Sequence, residues 1–257
     1  MRLWIDTDVG TNVDDAVALL AAVAHPAVSL VGVSTVGADP ERRAAVAVSL
    51  LAAADVDLGT VPVAAGADEA VAAVAASGAE ALLAIGPLTN VAAMTAAGVR
   101  PPELTIMGGA LHPVEHRGEV RAVEHNFGSD PDAAAEVLAV PGAVLVPLDA
   151  TVATRLDARL AARLVATAPV LEPMVSTWLE QWGEVVLHDP AALLVAAGDG
   201  SELGRFERRR LRVEPDGRLV DGGRGAAGTV HDVVASLFGS AVVASVLALL
   251  ADLSLSG

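Results

Sequence analysis

Residues 2–24, with the sequence RLWIDTDVGTNVDDAVALLAAVA, set the pattern for the whole chain. Residues 2–6 form a short apolar run that predicts a β-strand, and the Ala- and Leu-rich residues 14–24 predict a helix. At the junction of the apolar run and the helix, four aspartates fall within ten positions. The stretch therefore predicts a strand, an acidic loop and a helix in direct succession.

The same alternation continues along the chain and predicts an α/β fold. Its sheet is expected to be open and mostly parallel, with helices on both faces, in a single domain over residues 1–257. A late hairpin is expected from 205–213 and 218–220, turning at Pro215-Asp216-Gly217. The other predicted strands are 28–36, 61–64, 81–85, 104–107 and 143–147, and the other predicted helices are 40–54, 69–76, 88–97, 130–139, 157–182 (broken by Pro169 and Pro173) and 190–197.

Composition excludes several classes of function. The chain has 257 residues, 53% of them hydrophobic, so it can bury a sizeable core and is not disordered. It contains no cysteine, which excludes disulfides and thiolate chemistry, and all 16 basic residues are Arg. The absence of Lys removes Walker-type phosphate loops and Schiff-base chemistry. A net charge of −16 argues against nucleic-acid binding and is compatible with binding a cation.

The segment 233–251 contains 19 residues without a charge, which is long enough to raise the question of a membrane span. Asp232 and Asp252 flank it, and neither side carries the basic residues typical of a span. We expect a buried C-terminal helix and no membrane. Because Asp6 and Asp8 come before any apolar stretch of signal-peptide length, the cytoplasm is the default expectation.

The acidic loop predicts a metal site. Helix capping by Asp14 and a favourable dipole position for Asp15 explain two of its carboxylates. They do not explain Asp6 and Asp8, which lie on or beside an apolar strand where like charges cost energy. Such a cluster needs a cation or a raised pKa. Without cysteine and with only six His, oxygen ligands and hence Ca²⁺ or Mg²⁺ are favoured.

Further polar residues follow the later predicted strands, where an α/β sheet binds its ligands. Turn formation and helix capping remain open as explanations for most of them. Glu124 and Asn126 are two positions apart, so on an extended segment they would face the same way. The stretches are Gly86-Pro-Leu-Thr-Asn90, Met107-Gly-Gly109, Glu124-His-Asn126, Asp130-Pro131 and His188-Asp-Pro190.

Together these pieces resemble the inosine-uridine preferring nucleoside hydrolases. The DTDVGTNVDD loop at 6–15 is similar to a longer variant of the family's DxDPGxDD loop, and GPLTN, MGG, ExN, PLDAT (147–151) and HDP follow in the family's order. The resemblance runs over most of residues 1–200. It implies an open α/β sheet with a Rossmann-like core, and cleavage of the N-glycosidic bond of a ribonucleoside to ribose and free base.

The resemblance also implies roles for individual residues. A Ca²⁺ cofactor would be held by the side chains of Asp8, Asp15 and Asp189 and by the backbone carbonyl of Thr89. Asp8 would act as general base towards the attacking water, and His188 would donate a proton to the departing base. Ribose hydroxyls would be held by Asp14, Glu124, Asn126 and Asp189, with Met107 beside the substrate. The expected binding partner is a small nucleoside-like substrate. Whether the chain also forms a dimer or a tetramer is left open.

Departures from the family pattern make this a trimmed member. Asp39 stands where the family has an Asn after the second strand, and Glu119 stands where it has an Asn that touches the sugar; both are expected to bind substrate. Val152 replaces a His. The family's His-Gly loop, expected between residues 64 and 80, is missing. We therefore expect a more open pocket and poor turnover of common nucleosides, with nucleotides worse because Glu119 would repel a 5′-phosphate.

Other interpretations remain open at this point. The member could be repurposed, acting on a specialised biosynthetic substrate or binding calcium and ribose without turnover. Asp6-Thr-Asp8-Val-Gly-Thr11 superficially resembles the loop of haloacid-dehalogenase-like phosphatases, and Gly223-Arg-Gly-Ala-Ala-Gly228 matches a dinucleotide-binding pattern without room for the fold it needs. Trp178 and Trp182, four residues apart, fit either the core or base stacking.

Overall fold

The computed structural model describes residues 1–10, 12–116, 118–223 and 227–253. The part described contains thirteen strands and twelve α-helices, with a 3₁₀ turn at Pro169–Leu171. The strands are β1 Arg2–Thr7, β2 Ser29–Thr35, β3 Val63–Ala65, β4 Ala81–Ala84, β5 Glu103–Met107, β6 Val114–His116, β7 Glu119–Arg121, β8 Val144–Val146, β9 Arg155–Leu156, β10 Val185–Val186, β11 Gly204–Val213, β12 Leu219–Asp221 and β13 Thr229–Leu237.

Nine of the twelve described helices overlap predicted helical segments, whereas α5, α7 and α11 were not predicted. They are α1 Val13–Ala24, α2 Pro40–Ala53, α3 Gly66–Ser77, α4 Thr89–Ala96, α5 His125–Ser129, α6 Pro131–Leu138, α7 Leu148–Thr151, α8 Ala158–Thr167, α9 Glu172–Trp182, α10 His188–Ala196, α11 Gly200–Leu203 and α12 Gly239–Ala251.

Nine of these strands form one sheet in the order β12-β11-β13-β8-β5-β4-β1-β2-β3. Every pair from β13 to β3 is parallel, and only β11 runs against its neighbours. The predicted open, mostly parallel sheet is confirmed. The late hairpin is confirmed as β11 and β12, with the Gly217 amide donating to the Glu214 carbonyl at its turn.

Two hydrophobic cores cover the two faces of the sheet, as the prediction of helices on both faces requires. Side chains alternate along β1, so Leu3 and Ile5 enter one core and Trp4 the other. The Trp4 ring packs over Gly32 on β2, where an added Cβ would lie 2.0 Å from the ring. Any side chain at position 32 would therefore displace the tryptophan.

The expectation of one helix over 233–251 is wrong in its first part. Residues up to Leu237 belong to β13, and α12 begins at Gly239. A Cβ at Gly239 would lie 1.9 Å from the Ala153 carbonyl oxygen, so this corner accepts glycine only. Among the described residues, no helix is long and apolar enough to cross a membrane. The dinucleotide-like motif at 223–228 lies partly outside the described residues.

The strand order places the carboxyl end of β1 at a topological switch point. From β1 the chain first runs outward to β2 and β3, and then returns to β4 on the other side of β1. In open α/β sheets, ligands bind in the crevice that such a reversal leaves at the carboxyl ends of the strands. The acidic loop after β1 opens directly into this crevice.

Candidate active site

Asp6 anchors the end of β1 in a buried hydrogen-bond network. Its Oδ1 accepts hydrogen bonds from Ser34 Oγ at 2.5 Å and Asn90 Nδ2 at 2.8 Å, and Ser34 in turn accepts from Trp4 Nε1 at 2.9 Å. Burial raises the pKa of Asp6 to about 7. Its Oδ2 is buried and makes no hydrogen bond with the described residues. A protonated carboxyl suits this environment.

Three buried carboxylates meet in front of this network. Asp14 and Asp15 come from the first turn of α1, and Asp189 comes from the first turn of α10. One oxygen of each lies within 4.8 Å of the others. The hydroxyl of Thr7 donates to Asp15 Oδ1 at 2.5 Å, and helix N-termini favour negative charge at such positions.

Burial raises the pKa of both Asp15 and Asp189 well above the ordinary value for a carboxyl. The neighbouring carboxylates raise it further: Asp8 and Asp14 act on Asp15, and these two with Asp15 act on Asp189. Buried like charges at this distance need a proton or a cation between them. Oxygen ligands clustered in this way fit a hard divalent cation such as Ca²⁺ or Mg²⁺.

Asp8 lies beside this cluster and faces two basic side chains. Its Oδ2 is 3.7 Å from Nη1 of Arg43 and 4.0 Å from Nε2 of His125. Burial raises the pKa of Asp8, and the charge of Arg43 opposes this rise. The three residues closest together are therefore Asp14, Asp15 and Asp189, whereas the resemblance implied Asp8 in place of Asp14.

Glu124 and Asn126 lie on one wall of the site. Glu124 is the N-cap of α5 and accepts hydrogen bonds from the amides of Asn126 at 2.8 Å and Gly109 at 3.0 Å. Asn126 Nδ2 donates to the carbonyls of Ile85 and Met107 at 3.2 and 3.1 Å. Burial raises the pKa of Glu124. Both residues reach the pocket through a helix start, and not along the extended segment that the spacing suggested.

His188 begins α10 and is 7% exposed. Its Nδ1 lies 2.7 Å from the hydroxyl of Thr151. Thr151 ends the PLDAT motif and His188 begins the HDP motif, so this contact brings two of the predicted motifs together at the site.

A small cavity, called here the acidic pocket, brings most of the predicted residues together. It measures about 70 Å³. Eight predicted residues line it: Asp8, Asp14, Asp15, Met107, Glu124, Asn126, His188 and Asp189. The motifs at the ends of β1, β5 and β10 and before α5 therefore converge on one place.

Three predicted residues are not among those that line the acidic pocket. The side chain of Asp39 caps α2 by accepting from the Arg42 amide at 3.2 Å. Glu119 lies on the exposed hairpin strand β7 and pairs with Arg121 at 3.0 Å. The Thr89 hydroxyl donates to Asp130 at 2.5 Å, and the residue lines a second cavity beyond Asp8.

Three polar residues that the sequence did not single out also line the acidic pocket: Asn12, Arg121 and His125. His125 stands between the predicted Glu124 and Asn126, so its position was available from the sequence. Arg121 reaches the pocket through the hairpin of β6 and β7, which no motif predicted. Its Nε is buried and makes no hydrogen bond with the described residues.

The two tryptophans of α9 pack against each other, with ring centroids 6.3 Å apart. Trp178 is 7% exposed and belongs to the core that α1 and α10 share. The core interpretation is confirmed for Trp178. Neither ring is among the described residues that line the acidic pocket.

A known protein family matches most of the chain. The family model for the inosine-uridine preferring nucleoside hydrolases matches residues 3–81 and 68–233. Comparison with curated proteins gave no significant match.

Solved structures show that the fold is shared. A plant nucleoside hydrolase has a TM-score of 0.80 at 19% identity, covering 97% of this chain and 98% of its own. A purine-preferring ribonucleoside hydrolase from Gardnerella vaginalis has a TM-score of 0.76 at 19% identity, with 98% of each chain covered. An inosine-uridine preferring nucleoside hydrolase from Bacillus anthracis has a TM-score of 0.74 at 18% identity, covering 98% of this chain and 99% of its own.

Proposed function

Because the chain belongs to the inosine-uridine preferring nucleoside hydrolase family, we propose that its acidic pocket is the active site of a Ca²⁺-dependent nucleoside hydrolase. The chain is an N-glycosyl hydrolase, and its substrate is a nucleoside or a modified nucleoside. The observation that carries the proposal is the meeting of Asp14, Asp15 and Asp189, all buried, within 4.8 Å.

We assign the cation to Asp15 and Asp189 of this cluster. Asp8, which lines the same pocket beside it, would be the third side-chain ligand, because the family resemblance implies Asp8 at the cation and Asp14 at the ribose. A Ca²⁺ ion held by these residues would supply a lower pKa for a bound water molecule and a positive charge for ribose hydroxyls. The oxygen donors fit this ion, and cysteine is absent from the chain. The backbone carbonyl of Thr89, the first residue of α4, would be a further ligand, as the family resemblance implies.

Asp8 takes the proton from the attacking water as general base. Water attacks C1′ of the ribose, the bond from C1′ to the base nitrogen breaks, and its electron pair leaves with the base. The sugar passes through an oxocarbenium-like transition state, which the surrounding carboxylates stabilise. His188 supplies the proton that the departing base needs, since an imidazole can donate near neutral pH.

The ribose is positioned by Asp14, Glu124 and Asn126. The Glu124 carboxylate and the Asn126 amide are already held by backbone partners, so they present fixed groups to the sugar. Pre-set geometry of this kind lowers the entropic cost of reaching the transition state. Met107 lines the same wall.

The test is a panel of inosine, uridine, adenosine and cytidine, assayed for ribose release with calcium and after chelation. We expect calcium-dependent release from at least one nucleoside, with kcat/KM below the ordinary enzyme value of about 10⁴ M⁻¹s⁻¹ because the covering loop is missing. No ribose release from any nucleoside would contradict the proposed function. Higher values would contradict only the expectation of an impaired pocket.

A further inference from the structure

The second cavity lies next to the acidic pocket and is much the larger of the two. It measures about 570 Å³, and pockets that enclose small molecules usually measure about 300–1,000 Å³. Asp8 and His125 line both spaces, whereas His188, which the proposed hydrolysis uses for the departing base, lines only the acidic pocket. The second cavity is therefore large enough to hold a small molecule of its own, beside the acidic pocket.

The second cavity is lined by a guanidinium group with a free edge. The Arg43 side chain is 18% exposed, and its Nη1 donates to the Val9 carbonyl at 3.3 Å and lies 3.7 Å from Asp8 Oδ2. Within the described part of the chain, Nε and Nη2 of Arg43 make no hydrogen bond, and neither is among the buried polar atoms that lack a partner. Both nitrogens are therefore open to solvent. An Nε–Nη2 edge of this kind binds a carboxylate or a phosphate through two parallel hydrogen bonds.

Gly37 lines the cavity beside this edge and leaves it uncovered. A Cβ built at Gly37 would lie 3.4 Å from Nε and 3.6 Å from Nη2 of Arg43. The backbone φ at this position is +99°, which also favours glycine. A longer side chain at position 37 would stand against the guanidinium group, so the glycine keeps the Nε–Nη2 edge accessible.

Two helix N-termini in the same cavity support the binding of negative charge. The first two residues of α3, Gly66 and Ala67, and the first residue of α4, Thr89, line it. The N-cap residues of these helices are Ala65 and Leu88, whose side chains cannot accept a hydrogen bond. The first N–H groups of a helix lack intrahelical partners and carry partial positive charge. They add to the charge that the guanidinium group supplies.

The charged side chains of the second cavity differ from those of the acidic pocket. Among the described residues that line the second cavity, the ionisable side chains are Arg43, His125 and Asp8. Asp8 opposes an anion, but its carboxylate lies against Nη1, the guanidinium nitrogen outside the Nε–Nη2 edge. The free edge of Arg43 therefore remains available to an anion, whereas the clustered carboxylates of the acidic pocket favour a cation.

We propose that the second cavity is an anion-binding site for a phosphate group, free or carried by a small molecule, and that the Nε–Nη2 edge of Arg43 anchors it. A phosphate fits because its oxygens can accept hydrogen bonds both from the guanidinium fork and from N–H groups at a helix start. The inference goes beyond the proposed function and does not depend on it, since the hydrolysis uses the acidic pocket.

Calorimetric titration of the calcium-free protein with inorganic phosphate tests the site without any turnover. We expect Arg43→Gln to weaken phosphate binding by about tenfold or more, and Arg43→Lys to weaken it less because Lys keeps the charge but loses the fork. Arg42→Gln is the matched control: the residue is exposed, lies outside the second cavity, and its loss should leave the Kd unchanged.

Glycerol 3-phosphate as a second probe distinguishes the two sources of the phosphate group. The cavity is larger than one phosphate ion, so binding tighter than that of inorganic phosphate supports a site for an organic phosphate. Binding of inorganic phosphate alone supports a site for the free ion. In both cases the affinity should depend on Arg43.

A second variant keeps the test decisive if Arg43→Gln does not fold. Ala67→Asp places a carboxylate in the cavity at the start of α3, where a helix tolerates negative charge, and should also weaken phosphate binding by about tenfold or more. A wild-type Kd above about 10 mM for both phosphates, or binding that the folded variants leave unchanged, would overturn the proposal. Because no ribose release is measured, failure here leaves the proposed hydrolysis untouched, and failure of the hydrolysis leaves this site untouched.

Discussion

The hydroxyl of the buried Thr151 lies 2.7 Å from Nδ1 of His188, which lines the acidic pocket. The same hydroxyl donates its proton to the Leu148 carbonyl at 3.2 Å. When the imidazole is protonated, both ring nitrogens carry a proton, so the hydroxyl then accepts a hydrogen bond from Nδ1. A second ring proton, the one available to a departing base, has to be carried by Nε2. Thr151 is thus a positioning residue for His188.

We expect His188→Ala to lower kcat for inosine or uridine by about 10²–10⁴-fold, the usual worth of a general acid. Thr151→Val, which removes the hydroxyl at nearly constant volume, should lower it less, by about tenfold. For 4-nitrophenyl riboside, whose leaving group needs no proton, both losses should be small. Steady-state kinetics on the two substrates check this, and equal losses on both would remove His188 as the acid.

Asp8→Asn is expected to lower kcat by about 10²–10⁴-fold because an amide cannot accept the proton of the attacking water. Calcium affinity, measured in parallel by calorimetry, separates loss of the base from loss of a ligand. If the variant still binds calcium and has lost turnover, the role as base is supported. Near-wild-type turnover would exclude that role.

Calcium should raise the melting temperature of the chelated protein. A ligand that binds only the folded state stabilises it by about 2.7 kcal/mol at a concentration one hundred times its Kd. Asp189→Asn should abolish the shift. Asp39→Asn is the control, because Asn caps a helix as well as Asp does and residue 39 caps α2 without lining the acidic pocket. A melting temperature that neither calcium nor chelator changes would contradict the metal site.

The chelated protein should lose stability as the pH rises. Burial raises the pKa of Asp6 from 3.8 to about 7 in the folded state. A group of this kind contributes its stability fully below its unfolded pKa and loses it as the pH rises through its folded pKa. Asp15 and Asp189, whose pKa values are also raised, act in the same direction.

The measurement is the free energy of unfolding by urea at pH 5 and pH 8 in the presence of chelator. We expect a lower value at pH 8, and a smaller difference in Asp6→Asn. Saturating calcium should shrink the difference, since the cation binds the ionised carboxylates. Equal free energies of unfolding at pH 5 and pH 8 in chelator would show that the pKa values of these carboxyl groups are not raised in the folded state.

Much of the fold could be predicted because the strands β1, β2, β4 and β5 are short apolar runs separated by helical stretches. The segment 229–237 was missed as a strand because it joins α12 in one charge-free run. Periodicity does not separate a buried strand from a buried helix in such a run. The boundary is set by a tertiary contact, the packing of Gly239 against Ala153.

The site could be predicted where its residues follow strands, since parallel strands bring their carboxyl ends to one edge. Asp39 and Glu119 were placed at the sugar by analogy, but local hydrogen bonds hold Asp39 at a helix cap and Glu119 on Arg121. Arg43 could not be predicted as a neighbour of the site, because a single arginine in a helical segment has the sequence pattern of an ordinary solvated residue. Its position beside Asp8 depends on α2 packing against the acidic loop, which spacing along the chain does not show.

The most direct test of the account is a calcium titration of the chelated enzyme in which bound calcium and ribose release are measured in the same samples. If the acidic pocket holds the catalytic ion, activity on the best nucleoside recovers in proportion to bound calcium, and binding ends at about one ion per chain. Asp189→Asn should neither bind the ion nor recover activity. Full ribose release before calcium is added, or one bound ion per chain without any release, would contradict the account.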